Sequence, residues 1–236
     1  MSKKIGRLAI PIFFVFWGLT SAEGQKHEIG LGVGALNYSG DISRVPNVTM
    51  SRPGIMGYYR FNPSPVVSLR ASLMFGGLAG KDSNKDSNPI GKARQVEFSA
   101  LINQLSAAFE YNFFDYKYTA GKRGHRVTPY FTAGLSIFNF EHQKLVNTTD
   151  EVDARYSFNF GIPFGLGLKY RVKNRINFNA EFLANKTFTD YLDGVSSYPV
   201  GTPSNTKYLS NPLTSDWFYY LGVSVSYTFY KINCPD

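Results

Sequence analysis

From Trp217 to Phe229 the chain alternates without a break. Trp217, Tyr219, Leu221, Val223, Val225, Tyr227 and Phe229 share one face, and Phe218, Tyr220, Gly222, Ser224, Ser226 and Thr228 share the other. A period of two sends successive side chains to opposite faces of a strand, whereas the apolar stripe of a helix repeats every ~3.6 residues. The first face is large and apolar from end to end. Below its two leading aromatics the second is small and polar. A strand of this kind separates an apolar medium from a crowded polar space.

The same pattern recurs back along the chain. Ile176, Phe178, Ala180, Phe182 and Ala184 oppose Asn177, Asn179, Glu181 and Asn185. Over 158–170, Phe158, Phe160, Ile162, Phe164, Leu166, Leu168 and Tyr170 oppose Asn159, Gly161, Gly165, Gly167 and Lys169. Further strands are expected at about 128–141 (Phe131, Ala133, Leu135 and Ile137 outward), 98–113 (Leu101, Leu105, Ala107, Phe109, Tyr111 and Phe113) and 65–77 (Val67, Leu69, Ala71, Leu73 and Phe75), with two more at about 53–61 and 27–38. Eight segments of this length can each cross a bilayer at a tilt, which takes about 9 to 11 residues. The expected fold is all-β: an eight-stranded antiparallel up-and-down transmembrane β-barrel of the outer-membrane type.

The connections support that layout. NPSP and VKNR, after the second and sixth strands, are short, whereas the connections at 39–52, 79–97, 142–156 and 188–214 are long. Long loops on one rim and short turns on the other, with both termini on the short-turn side, characterise outer-membrane barrels. FDYKYTAGKRGHRV, at 114–127, breaks the rule: it is long, basic and on the periplasmic side.

A soluble lipocalin-type barrel would turn its apolar face inward and its other face to water. A wet surface should be rich in Lys and Glu. Here the second face is mostly Gly, Ser, Asn and Thr, with isolated ions at Arg60, Arg70, Glu110, Lys169 and Glu181. Small residues with a few opposite charges suit the inside of a narrow barrel, where ions must pair. The membrane arrangement is therefore the expected one. The aromatics Tyr59, Trp217, Tyr219, Tyr227 and Phe229 are read as girdles at the lipid interface.

Ahead of the strands, Lys3, Lys4 and Arg7 precede the apolar run Leu8 to Leu19, which is followed by the small residues Ala22 and Gly24. This order reads as a secretory signal peptide over 1–24, leaving one domain over 25–236. Removing it leaves 22 basic and 16 acidic residues from the original 25 and 17, a mature charge of +6. An exported chain gives that charge little to do with nucleic acid. Charged residues make up 18% of the chain and aromatics 16%, a balance that favours β structure. One cysteine, Cys234, provides no disulfide framework.

Motif chemistry is sparse. His27, His125 and His142 lack metal-ligand spacing to one another. GLGVGA at 30–35 lacks the third glycine of a dinucleotide loop and lies on an alternating strand, where glycine relieves crowding or eases curvature. The serines show no nucleophile elbow. No catalytic residue, cofactor, metal or small-molecule substrate is therefore expected.

Several stretches carry a more specific signal: KHEIGLGVGALNYSGDIS, YYRFNPSPVVSLRASLMFG, FEYNFFDY, TPYFTAGLSIFNF, IPFGLGLKYRV and KTFTDYLDGVSSY. Together they resemble the DUF6089 family of Bacteroidota outer-membrane barrels, in order from Lys26 to about Tyr227. The family pattern near the aspartates reads closer to DYLDDVS, and Gly194 stands here in place of the second acid. The chain also runs on through KINCPD. The resemblance implies a non-enzymatic, PorG-like component of the type IX secretion machinery, anchored in outer-membrane lipid and associated with the periplasmic ring proteins PorK and PorN.

Asp190, Tyr191 and Asp193 fall where the seventh strand meets its loop. Three roles stand open for the two carboxylates: fixing the loop through amide or cation contacts, binding a cation with other loop acids, or acid/base chemistry. Three functional classes also stand open: a secretion-machine anchor, a small binding or adhesin-like barrel acting through its outer loops, and a barrel enzyme. For an anchor, the expected partner surface is the 114–127 turn, with Lys117, Lys122, Arg123, His125 and Arg126, and to a lesser extent the KINCPD tail; the same turn also reads as a solvated basic loop that pairs with anionic lipid headgroups.

Overall fold

The computed structural model describes residues 27–39, 48–81, 97–115, 125–146, 158–188 and 216–229. They form β1 (His27–Ser39), β2 (Arg52–Phe61), β3 (Val67–Lys81), β4 (Glu97–Asn112), β5 (Val127–Val146), β6 (Asn159–Arg171), β7 (Ile176–Thr187) and β8 (Trp217–Phe229). A short 3-10 turn at Val48–Met50 leads into β2. Each strand pairs antiparallel with its chain neighbours, and β8 returns to β1 from His27↔Phe229 to Ser39↔Trp217. The sheet is thus a closed eight-stranded barrel. Closure matters because backbone N–H and C=O groups in hydrocarbon must find partners within the protein.

The faces are inverted relative to a soluble protein. Leu31, Leu135, Phe160 and Leu221 point outward and are 73, 71, 64 and 63% exposed, while Arg60, Glu110 and Lys169 point inward and are 0% exposed. A continuous apolar exterior around a charged interior is stable only when lipid covers the outside. The height fits as well. On β4 and in the residue after it, the outward residues Leu105, Ala107, Phe109, Tyr111 and Phe113 follow Asn103, whose side-chain amide donates to Asn139 Oδ1 on β5 at 3.0 Å. From Asn103 to Phe113 the strand covers roughly 33 Å at ~3.3 Å per residue, or about 25 Å along the membrane normal at ~40° tilt. That is the height of an outer-membrane apolar band.

Aromatics collect at the two edges of this band. Phe182 stacks on Tyr219 at 5.9 Å and Phe164 meets Trp217 edge-on at 5.9 Å on the long-loop side. Tyr227 meets Phe229 at 5.3 Å on the short-turn side, and Tyr59 there receives or donates a 2.5 Å hydrogen bond with His27 Nδ1.

The strands differ from the sequence expectation mainly at their long-loop ends. β3 reaches Lys81 instead of 77, and β5 reaches Val146, so 142–146 is strand and not the start of a loop. Pairing explains the difference. β4 holds β3 as far as Lys81↔Glu97 and β5 as far as Glu97↔Val146, with one register shift at Ser99/Ala100. The β2–β3 ladder begins only at Gly54↔Gly76 and the β5–β6 ladder at Phe138↔Asn159. Three strands therefore continue past Asn103 and Asn139 as a ribbon, stabilised by backbone hydrogen bonds, with Leu101 the last large exposed apolar residue described on β4.

Candidate functional site

The barrel interior has two layers of opposite character. On the short-turn side, every strand contributes to one polar network. Glu28 (β1) accepts from Arg60 Nη1 (β2) at 2.5 Å and from Ser226 Oγ (β8) at 2.5 Å. Arg60 also reaches Glu110 (β4), Nε to Oε2 at 2.8 Å. Glu110 takes two further cations, Lys169 (β6) at 2.6 Å and Arg70 (β3) at 3.3 Å. Arg70 Nη1 donates to Glu181 Oε2 (β7) at 2.6 Å, and Tyr130 Oη (β5) donates to the same oxygen at 3.0 Å. All eight strands are tied together at this level.

Alternation puts these side chains inside, and register sets them at a common height. Glu28↔Arg60 and Arg60↔Arg70 are directly opposed pairs, so the two guanidiniums lie side by side and need carboxylates on either hand. Three cations (Arg60, Arg70, Lys169) meet three carboxylates (Glu28, Glu110, Glu181), so the cluster is neutral. Neutrality is what burial in a low-dielectric space demands. Aromatic faces complete the shell: Arg60 lies 4.8 Å over the Tyr58 ring and Lys169 Nζ 4.5 Å over the Tyr130 ring. Each ring lies over a glycine of the neighbouring strand. A Cβ at Gly30 or Gly167 would come within 2.2 Å of Tyr58 or 2.4 Å of Tyr130.

Toward the long loops the interior becomes mostly apolar, around a Gln104 Nε2 to Asn185 Oδ1 hydrogen bond at 2.7 Å. Leu36, Tyr38, Met56, Met74, Leu78, Ile102, Phe138, Phe140, Phe218 and Tyr220 are all buried and form one cluster. Phe138 meets Phe218 edge-on at 5.8 Å, and Tyr38 Oη donates to Asp216 Oδ1 at 2.8 Å. An aromatic cluster above a neutral ion-pair layer fills the interior of the described barrel with side chains, as expected for eight strands.

The five interior ions read from the sequence, Arg60, Arg70, Glu110, Lys169 and Glu181, all stand in this one network. Glu28 was missed. Two signals pointed to it: its place on the polar face of β1, and a count of three cations against only two carboxylates, which calls for a third acid in a buried cluster. Asp190, Tyr191 and Asp193 lie outside the described residues, as do Lys117, Lys122 and Arg123. Residues 1–24, read from the sequence as a signal peptide, and Cys234 also lie outside them. Among the described residues no group of three His, Cys, Asp or Glu side chains stands close enough to hold a metal ion.

The short-turn rim carries His125 and Arg126, both exposed. The two arms of the β4–β5 connection continue beside one another below the barrel: Phe113 N donates to Pro129 O at 3.0 Å, Phe114 N to Thr128 Oγ1 at 3.0 Å and His125 N to Asp115 O at 3.0 Å. The Phe114 and His125 rings approach to 5.1 Å. The described ends of this connection thus stay paired beyond the strands, whereas the Ser64 turn is tight, with Ser64 Oγ accepting from Val67 N at 2.9 Å.

The sequence matches the family described as "Domain of unknown function (DUF6089)" over residues 7–235. The chain belongs to the DUF6089 family. No protein of curated function matches it. Among solved structures, this DUF6089 barrel is similar to the attachment invasion locus protein Ail of Yersinia pestis, at 9% identity and a TM-score of 0.47 over 88% of this chain and 100% of that one. It is also similar to Neisserial surface protein A, at 15% identity and a TM-score of 0.48 over 88% and 100% of the two chains. A third is OprG of Pseudomonas aeruginosa, at 9% identity and a TM-score of 0.42 over 88% and 98%.

Proposed function

We propose that this DUF6089 barrel is a non-enzymatic outer-membrane anchor, working through its rims and not through its lumen, as a PorG-like component of the type IX secretion machinery that holds the periplasmic PorK/PorN ring. The sealed interior carries this reading. A barrel whose eight strands are cross-tied by neutral ion pairs beneath an aromatic plug is a rigid post in the membrane. A post works through what it presents on either side. On the periplasmic side the elaborated element is the β4–β5 connection, whose paired arms at Phe113–Asp115 and His125–Arg126 extend the hairpin beyond the barrel. Two-residue turns would close such hairpins, so the additional chain calls for a partner.

The test replaces Asp115 to Arg126 by an Asn-Gly turn. The expected result is a barrel that still changes gel mobility on boiling and still fractionates with the outer membrane, but no longer co-purifies with the ring proteins or supports secretion. Normal co-purification from the correctly folded variant would place the contact elsewhere.

A second reading has its own observation. The β3–β4–β5 ribbon rises past the band on the long-loop side, which is where an adhesin-like barrel would meet its ligand. Shortening that ribbon should abolish surface binding on this reading and leave secretion untouched.

A further inference from the structure

The turn between β6 and β7 is the shortest route between two strands, yet it forms a groove. Val172 N and Lys173 N both donate to Ile176 O, at 3.0 and 3.1 Å, and Thr228 N donates to Arg175 O at 2.8 Å, which ties the turn to the end of β8. Val172, Lys173, Asn174, Arg175, Ile176 and Tyr227 line an open groove of about 620 Å³. Arg175 Nη1 donates to Tyr227 Oη at 3.0 Å. Tyr227 belongs to the outward face of β8, so the guanidinium is turned to the lipid side of the rim, level with the short-turn aromatic girdle.

We propose that this groove is a binding site for an anionic phospholipid of the periplasmic leaflet. The lining is amphipathic, as a lipid requires. Lys173 and Arg175 are the basic side chains of its lining and both are exposed, so a phosphodiester there would meet two cations. Val172 and Ile176 are the exposed aliphatic side chains of the lining, and Ile176 pairs with Tyr227, from which the outward face of β8 continues through Val225 and Val223, against which an acyl chain would run. The charge around it has one dominant sign. Arg171 N donates to Arg126 O at 2.8 Å, so Arg126, Arg171, Lys173 and Arg175 follow one another along the rim, and among the described residues Asp115 is the carboxylate of that arc. Size also favours a lipid over a protein partner. A stable protein interface takes about 800 Å² and 20–30 residues from each side, whereas the groove is made of six residues. The proposal rests on the membrane-spanning arrangement and is independent of the secretion role.

The test is native mass spectrometry of the full-length barrel in neutral detergent, offered phosphatidylglycerol, phosphatidylcholine or inorganic phosphate. Each sample is first checked for its mobility shift on boiling, so loss of the closed barrel registers there and not in the lipid count. The wild type is expected to retain phosphatidylglycerol in preference to phosphatidylcholine, with inorganic phosphate failing to displace it. A basic side chain near an anionic headgroup strengthens binding about fivefold, so K173Q/R175Q should lower phosphatidylglycerol retention roughly 25-fold. R126Q/R171Q, on the same rim but outside the groove, should change it less than threefold. If the double variant loses the closed form, K173Q alone carries the test, with an expected loss of about fivefold. Equal retention of the two lipids, displacement by inorganic phosphate, unchanged retention in the groove variants, or an equal loss in R126Q/R171Q would each overturn the assignment.

Discussion

Lys169 Nζ lies 2.6 Å from Glu110 Oε2, a contact between β6 and β4 that passes over β5 through the barrel interior. Glu110 also takes Arg60 at 2.8 Å and Arg70 at 3.3 Å, which makes it the one carboxylate of the network that faces three cations. Neutralising it should therefore be more damaging than removing any single cation.

Glu110→Gln keeps the shape and strips the charge, leaving three buried cations against two carboxylates. Leaving a buried charge without its partner costs about 3–5 kcal/mol, to be read from urea unfolding of the barrel in micelles. Adding Lys169→Met restores neutrality, so the double variant should be more stable than Glu110→Gln alone. Additive losses would show that the pair is not coupled.

The close approach of Tyr130 to the backbone of β6 gives a steric expectation. Gly167→Ala would put a methyl group 2.4 Å from the ring, and the overpacking should cost about 1–3 kcal/mol. Tyr130→Ala in the same chain should recover most of the loss from crowding. A Gly167→Ala barrel as stable as the wild type would mean that the ring moves aside freely.

How far the sequence revealed this molecule depends on which force shaped each part. The period-two alternation located all eight strands because lipid on one side and a tight interior on the other constrain nearly every residue of β8, β6 and β4. It failed where lipid stops: past Asn139 on β5 the outward residues are no longer selected for apolarity, although backbone pairing to β4 carries the strand on to Val146. The interior was legible where it was ionic, since Arg60, Arg70, Glu110, Lys169 and Glu181 are conspicuous on a face of Gly, Ser and Asn. It was less legible toward the long loops, where Phe138, Phe140 and Ile102 are apolar on the inward face, against the pattern, because they fill the mouth of the barrel. Such a plug is set by which strands face one another across the axis, and a single strand does not record that.

Depth on the outer face supplies another expectation. Leu105 sits within the band and Glu141 beyond Asn139, past its edge. Leu105→Arg should cost about 2–4 kcal/mol of folding into bilayers, whereas a cation at position 141 should cost at most about 1 kcal/mol. Urea titration of vesicle-inserted protein measures both. Equal costs would misplace the edge of the band.

The sealed lumen is most directly tested by planar-bilayer recording of protein whose mobility shift on boiling proves it closed. Neutral ion pairs among Glu28, Arg60, Arg70, Glu110, Lys169 and Glu181 lie beneath the Phe138–Phe218 plug, so the expected trace is silent at all voltages that the bilayer tolerates. Stable open steps of porin size from the intact barrel would contradict it.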